Sequence, residues 1–279
     1  MTAREINHWL RSLHAVPEPS VDGVIVGDPE TLVRGIAVLW MPTWAALRTA
    51  HAQGLNVVVA HEPTFFNHYD LERFEEGLGV LPPAGRRIFE ATRDAKRRWI
   101  EETGVVVIRC HDVLDSMPGG VVDSLAYALG FSRASYVNEV PHHRVVRVDP
   151  PVAAIALAQR LANSFGALGQ PGVAFYGDPG RAVKSLGLGT GYACEPWRFV
   201  ELGADMALTI DDRIKTWTEG QWADDSGYPL VVIHHGSSEE WGVRRLAELV
   251  REAYHEIPVK LLAQGYTARW IAPQSFHAP

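Results

Sequence analysis

The sequence predicts an α/β fold with largely parallel sheets, and three observations carry that reading. Short runs rich in Val, Ile and Leu alternate along the chain with amphipathic segments of helical period, the pattern of strand–helix–strand units. Several strand runs, such as Asn56–Ala60, are apolar at consecutive positions, which suits parallel strands buried on both faces. The chain has 279 residues, 47% of them hydrophobic and 21% charged. That length provides for one large domain or two, with a core that needs no disulfide.

The elements follow in order. Thr2 and Glu5 have capping-box spacing. They open a helix with Ile6, Trp9, Leu10 and Leu13 on one face, which Pro17 and Pro19 end. Strands are predicted at Gly23–Val26 and Ile36–Trp40. Thr43 caps a helix through Trp44, Leu47 and Ala50, with Gly54 as its stop. The strand Asn56–Ala60 precedes a long helix from Arg86 to Thr103, the strand Val105–Cys110 and a helix Val121–Leu129. The texture changes at Phe131–Pro141, read as a domain crossover. Strands then recur at Val145–Val148, Val173–Tyr176, Ser185–Leu188 and Met206–Ile210, with a helix through Ile155, Ala158 and Phe165 and a short one near Trp197–Leu202. Asp211–Gly227 is polar and Trp-bearing and reads as irregular or a short helix. Leu230–His234 is a strand, Val243, Leu246 and Val250 mark the last helix, and Val259–Ala263 closes the fold.

A formal net charge of −7 argues against a dedicated nucleic-acid surface. No apolar run reaches the ~18 residues of a membrane span. The first ten residues lack the apolar core of a signal peptide. The two cysteines, Cys110 and Cys194, are too few for a disulfide framework or a Cys-rich zinc cluster. A cytoplasmic protein is the expectation.

The chemistry sits in the histidines. Three predicted strands end in histidine with a carboxylate close behind: His61 with Glu62, His111 with Asp115, and His234-His235 with Glu239. In α/β sheets, ligands bind outside the carboxyl ends of the strands. Imidazole with carboxylate suits Zn, Fe, Mn, Co or Ni, and the acids suffice for a bridged pair of ions. Such pairs lie ~3.5–4 Å apart and activate water for hydrolysis. Blander readings stand beside this one. A strand-end histidine also serves as an ordinary hydrogen-bonding residue. Glu239 also suits a helix N-terminus, where the dipole favours it, and Ser237 with Glu240 has capping-box spacing. His142-His143 reads as an exposed pair, and Cys110 and Cys194 as buried and inert. Gly187–Gly191 reads as a tight turn, and Phe65 and Phe66 as core packing. Arg86, Arg87, Arg93, Lys96, Arg97 and Arg98 read as a solvated helix face. Asp112 either orients His111 or faces solvent.

At these residues the chain resembles the NIF-three-like family of dinuclear-metal proteins, also called GTP cyclohydrolase I type 2 homologues. The likeness runs from about Ile6 to Ala263. Residues 21–27 read V-D-G-V-I-V-G. His61-Glu62-Pro63 stands where the family has His-His-Pro, so Glu62 replaces its second histidine. His111 to Asp115 resembles the family's His-Thr-Asn-Leu-Asp, and His235 to Glu239 its Gly-His…Glu, with His234 in place of the glycine. Gly187–Gly191 and Thr209-Ile210-Asp211 resemble a Gly-rich segment and a Thr-Gly-acid motif, with Ile210 replacing the glycine. The resemblance implies that His61, Asp115, His235 and Glu239 are metal ligands, with Glu62 a fifth candidate. It implies two divalent transition metal ions per chain, with Asp115 or Glu239 bridging. His111 is the candidate acid–base residue, or supports a ligand from behind. The implied architecture is two interlinked α/β domains with mostly parallel sheets. Residues 1–132 plus 228–279 would form the metal-site domain and 133–227 the second, and the chains would assemble into a toroidal homohexamer. The implied activity is metal-dependent hydrolysis of a small molecule, with opening of the guanine ring of GTP as the named reaction. The alternative is a metal-binding, storage or regulatory ring without turnover.

Overall fold

The computed structural model describes residues 1–79 and 81–272. Eleven strands are found among them: β1 (Gly23–Val26), β2 (Ile36–Leu39), β3 (Val57–Ala60), β4 (Val106–Arg109), β5 (Tyr136–Val140), β6 (His143–Ala153), β7 (Ala174–Tyr176), β8 (Ala182–Gly189), β9 (Met206–Ile210), β10 (Leu230–Ile233) and β11 (Val259–Leu261). They form two sheets, ordered β1-β4-β3-β2-β11 and β5-β6-β8-β9-β10-β7. The chain builds four strands of the first sheet, then the whole of the second, and returns to the first with β11. The two sheets are interlinked in this sense, and the fold is mixed α/β.

The unbroken apolar runs are explained by burial on both faces. In β3, Val57 and Val59 pack with Ile6, Leu10, Leu246 and Val250 from the helices Ala3–Ser12 and His235–Ala253. Val58 and Ala60 face the other way, onto Leu47 and Ile100 from the helices Trp44–Ala52 and Pro83–Thr103. The second sheet has its own core, in which Leu157, Leu161 and Phe165 cover Leu186, Leu188 and Leu208. Thr2 and Glu5 form the capping box reciprocally, with Thr2 N donating to Glu5 Oε2 at 2.6 Å and Glu5 N to Thr2 Oγ1 at 3.4 Å.

Three expectations change. The first sheet is largely parallel, but the second is mixed: β8, β9 and β10 are parallel, while β5, β6 and β7 pair antiparallel. A connection as short as Pro141-His142 joins β5 to β6, and so short a link permits only an antiparallel pair. The segment Phe131–Pro141 contains β5, an edge strand whose middle residues are exposed, so it shows no apolar run. The return to the first sheet comes at His234 and not at residue 228. β10 pairs parallel with β9 and antiparallel with β7, and its apolar residues are needed in that interior.

Candidate metal centre

Register delivers the first residues. β3 and β4 run parallel with Ala60 beside Arg109, so His61-Glu62 and His111 leave the sheet side by side. The second sheet brings its own strand ends to the same place. Asp211-Asp212 follows β9, and His235 begins the helix that follows β10. Within that helix His235 and Glu239 are four residues apart and share a face. All these ends meet at a cavity of about 980 Å³, lined by Glu62, His111, Asp115, Asp212, His235 and Glu239 on its polar side.

Two groups of three side chains here have potential ligand atoms within 4.8 Å of one another: His61, Glu62 and His111, and Glu62, His235 and Glu239. Glu62 is common to both. His61 Nδ1 contacts the Cys110 carbonyl at 3.2 Å, which turns Nε2 inward, 3.4 Å from Glu239 Oε2 and 3.6 Å from Asp115 Oδ1. His235 Nδ1 is 2.9 Å from Asp212 Oδ2. Its Nε2 is 3.1 Å from both Glu62 Oε1 and Glu239 Oε1. Neither Nε2, nor Asp115 Oδ1, makes a well-directed hydrogen bond although all three atoms are buried. Glu239 thus offers one oxygen to each imidazole, while Trp40 Nε1 holds Oε2 at 2.7 Å. Asp115 lies outside both groups of three, with its second oxygen 3.6 Å from His111 Nδ1. His111, expected as a proton carrier or as support behind a ligand, stacks on His61 at 4.7 Å and belongs to a group that can hold a metal ion.

The charges are mutually dependent. Burial alone would lower the pKa of His61, but the Glu239 and Asp115 carboxylates reverse this and raise it to about 10. His235 is likewise raised against its burial, chiefly by Glu239 and Asp212. Burial pushes Glu62 up, and the nearby imidazoles of His235, His111 and His61 together outweigh it and lower it. Glu239 is held well below the usual carboxylate range against its burial, by His235 and His61. Asp115 is the exception: burial raises it despite His111 and His61. Buried imidazoles aimed at buried carboxylates, with orphaned Nε2 atoms between them, suit a cation in place of the shared protons.

Several contributors were not read from the sequence. Arg109, the charged end of β4, is 1% exposed. Its Nη2 lies 3.5 Å from Glu62 Oε2, its Nη1 lies 3.4 Å from Asp70 Oδ2, and its Nε donates to the His61 carbonyl at 3.1 Å. The extra negative charge of Glu62 therefore meets a buried guanidinium. Asp212 lies in a segment that reads as irregular or a short helix. Trp40 gave no signal beyond its place after β2. Gly191 has φ +56°, and a β-carbon there would lie 2.7 Å from Glu239 Oε1 and 3.3 Å from His235 Nε2, so the backbone itself leaves the space.

Other expectations are corrected or decided here. Asp112 orients His111: Oδ1 is 2.9 Å from its Nδ1, and Oδ2 accepts from Ser20 Oγ at 2.8 Å. The helix begins at His235, so Ser237 is inside it and makes no cap. Glu240 instead accepts from the backbone of Gln264 and Gly265. His143 is buried against Phe199 and only half of the expected exposed pair reaches the surface, because β6 turns it inward. His142 lines the cavity. His234 packs edge-on against Trp40 and Tyr266 and joins neither group of three. Phe65 is core, whereas Phe66 is 42% exposed and lines the cavity. Lys96 is buried rather than on the solvated face. Cys110 and Cys194 are both buried and unpaired.

Residues 83–265 match the family model described as Duf34/NIF3 (NGG1p interacting factor 3). A curated Clostridium perfringens protein named "GTP cyclohydrolase 1 type 2 homolog" is 22% identical over 237 residues, 82% of each chain. Among solved structures, a Bacillus cereus protein related to NIF3 is 14% identical, with a TM-score of 0.72 over 98% of this chain and 99% of that one. A Staphylococcus aureus hypothetical protein is 19% identical, with a TM-score of 0.71 over 97% and 99%. At these identities the solved structures share the fold.

Proposed function

The chain belongs to the Duf34/NIF3 family, and on that premise we propose that it is a dinuclear metal-dependent hydrolase of a small molecule. One observation carries the reading: two triads of potential ligand atoms share Glu62, and the His61 and His235 Nε2 atoms are buried, unpartnered and turned toward carboxylates at the wall of a large cavity. In this proposal His61, Glu62, Asp115, His235 and Glu239 hold two divalent transition metal ions. Such a pair supplies Lewis acidity and a nucleophilic water. The chain's own groups do the rest. Asp212 and the Cys110 carbonyl fix the orientation of the two imidazoles through Nδ1. Trp40 holds Glu239. His111, oriented by Asp112 at the cavity wall, holds or moves a proton beside the reacting bond. The pair of sheets keeps the cluster dry on its inner side, where His61 is fully buried.

The name of the Clostridium perfringens relative makes opening of the guanine ring of GTP the first reaction to test. Protein reconstituted with Zn, Fe, Mn, Co or Ni is incubated with GTP, and formate and the ring-opened product are followed by chromatography. Turnover that His235→Ala abolishes supports the proposal; no turnover with any of the metals rejects GTP. The homohexameric ring belongs to the same proposal and is read from the mass in solution. A cytoplasmic location is proposed on the two unpaired cysteines. No helix among the described residues is long and apolar enough to cross a membrane.

A further inference from the structure

A second charged group opens on the same cavity, away from the metal-ligand cluster. Lys96, on the helix Pro83–Thr103, is 5% exposed and lines the cavity. Its ammonium carries three donors. One goes to the Thr64 carbonyl at 2.7 Å. No carboxylate among the described residues comes within ion-pairing distance. Asp70, whose charge attracts the ammonium, is already engaged: Oδ1 accepts from the backbone N–H groups of Thr64 and Phe65, and Oδ2 faces Arg109. Burial pushes the Lys96 amine down to about 8 despite the attraction of Asp70. The remaining donors therefore lack a counter-charge, an arrangement that costs stability unless a ligand completes it.

The surroundings define that ligand. The centroids of the Phe65 and Phe66 rings are 5.8 and 5.9 Å from Nζ. Phe66, Trp44, Tyr69 and Tyr192 line the cavity, which suits a flat ring. Among the described residues, Lys96 is the only lysine or arginine that lines the cavity; the other ionisable lining residues are acids, histidines and tyrosines. One ammonium balances one negative charge. Thr64, whose carbonyl holds Nζ, follows Glu62 by two residues, a Cα span of at most about 7 Å, and Lys96 and Glu62 line the same cavity.

We propose that Lys96 is the anion-binding end of the substrate site, and that the substrate is an aromatic or heteroaromatic carboxylate whose ring lies between the aromatic walls with its carboxylate on Nζ. This deepens the hydrolase reading and rests on it for the bond that is cleaved, but carboxylate recognition stands apart from the metal. A triphosphate brings several charges to a wall with one cation and fits less well.

The test compares binding of 2-naphthoate and its neutral isostere 2-naphthamide, by calorimetry, to chelator-treated and metal-loaded protein. The expected result is naphthoate at least about tenfold tighter in both forms, the worth of one charge-assisted hydrogen bond. Lys96→Met removes that preference while keeping affinity for the amide and unchanged metal content; Lys96→Arg keeps it. Equal binding of acid and amide by the wild-type protein overturns the proposal without any variant. A preference confined to metal-loaded protein that survives Lys96→Met puts the carboxylate on the metal and overturns it too. Failure to hydrolyse any substrate strikes the hydrolase reading and leaves the binding result standing.

Discussion

Replacing Arg109 with methionine tests how the site accommodates Glu62. The guanidinium is 1% exposed and faces two buried carboxylates, Glu62 Oε2 at 3.5 Å and Asp70 Oδ2 at 3.4 Å. It also donates to the carbonyls of His61 and His68. Methionine fills much of the same space and leaves those acceptors without a cation. Removing one partner of a buried ion pair costs about 3–5 kcal/mol. For a chain of this size each kcal/mol moves Tm by about 2–4 °C, so the expected fall is roughly 10 °C. The assay is thermal and urea unfolding of chelator-treated protein, followed by circular dichroism. A double variant isolates the pair. With Glu62→Gln already present, Arg109→Met should cost about 1–2 kcal/mol less, because one of the two stranded carboxylates is gone. Asp70 keeps the remainder. A single-variant loss under about 0.5 kcal/mol, the range of an ordinary surface change, would refute the structural role of Arg109. Full cost in the double variant would refute the pairing with Glu62.

Further outcomes follow from the same geometry. Asp212→Asn keeps the shape but replaces the carboxylate behind His235 Nδ1 with a neutral amide, so metal affinity should fall about tenfold with unchanged circular dichroism; unchanged affinity would contradict the orienting role. In metal-free protein at pH 7, His61 and His235 are protonated, since their carboxylate neighbours raise both against the effect of burial, His61 to about 10. Metal ligation needs neutral imidazole, so loading must release protons. Calorimetry in two buffers of different ionisation enthalpy should show that release, and affinity should rise with pH up to about 10; heats independent of buffer would contradict it. The same raised value stabilises metal-free protein fully below the ordinary histidine value of 6.5, and that stability is lost as pH rises through about 10. Metal-loaded protein should lack this dependence.

The first sheet was legible because both of its faces are buried. Val57 to Ala60 and Val106 to Ile108 have no solvent side to write polar residues on, so each strand reads as one apolar run. β5 was not legible for the opposite reason: its exposed middle gives the sequence nothing to alternate against a core. β10 looked like part of the returning segment because strand order across sheets depends on contacts far apart in sequence, and nothing within Leu230–Ile233 names its neighbours.

The candidate site was legible where strand ends carry histidine, since topology places such residues together. His61, Glu62, His111, Asp115, His235 and Glu239 all lie around one cavity or directly beneath its wall. The residues that support them were hidden. Asp212 and Trp40 belong to other elements and approach only through tertiary packing. Arg109 did leave a trace, as the one charge in an otherwise apolar strand. Lys96 was masked by its basic neighbours on the same helix, and only burial separates it from them.

The central claim is that these residues hold a pair of metal ions, and elemental analysis tests it most directly. Protein purified without an affinity tag and reconstituted with a divalent transition metal is compared with His235→Ala prepared in parallel. Two ions per wild-type chain, with at least one lost in the variant, is the predicted result. No bound metal in the wild-type protein, or an unchanged content in His235→Ala, would contradict the account.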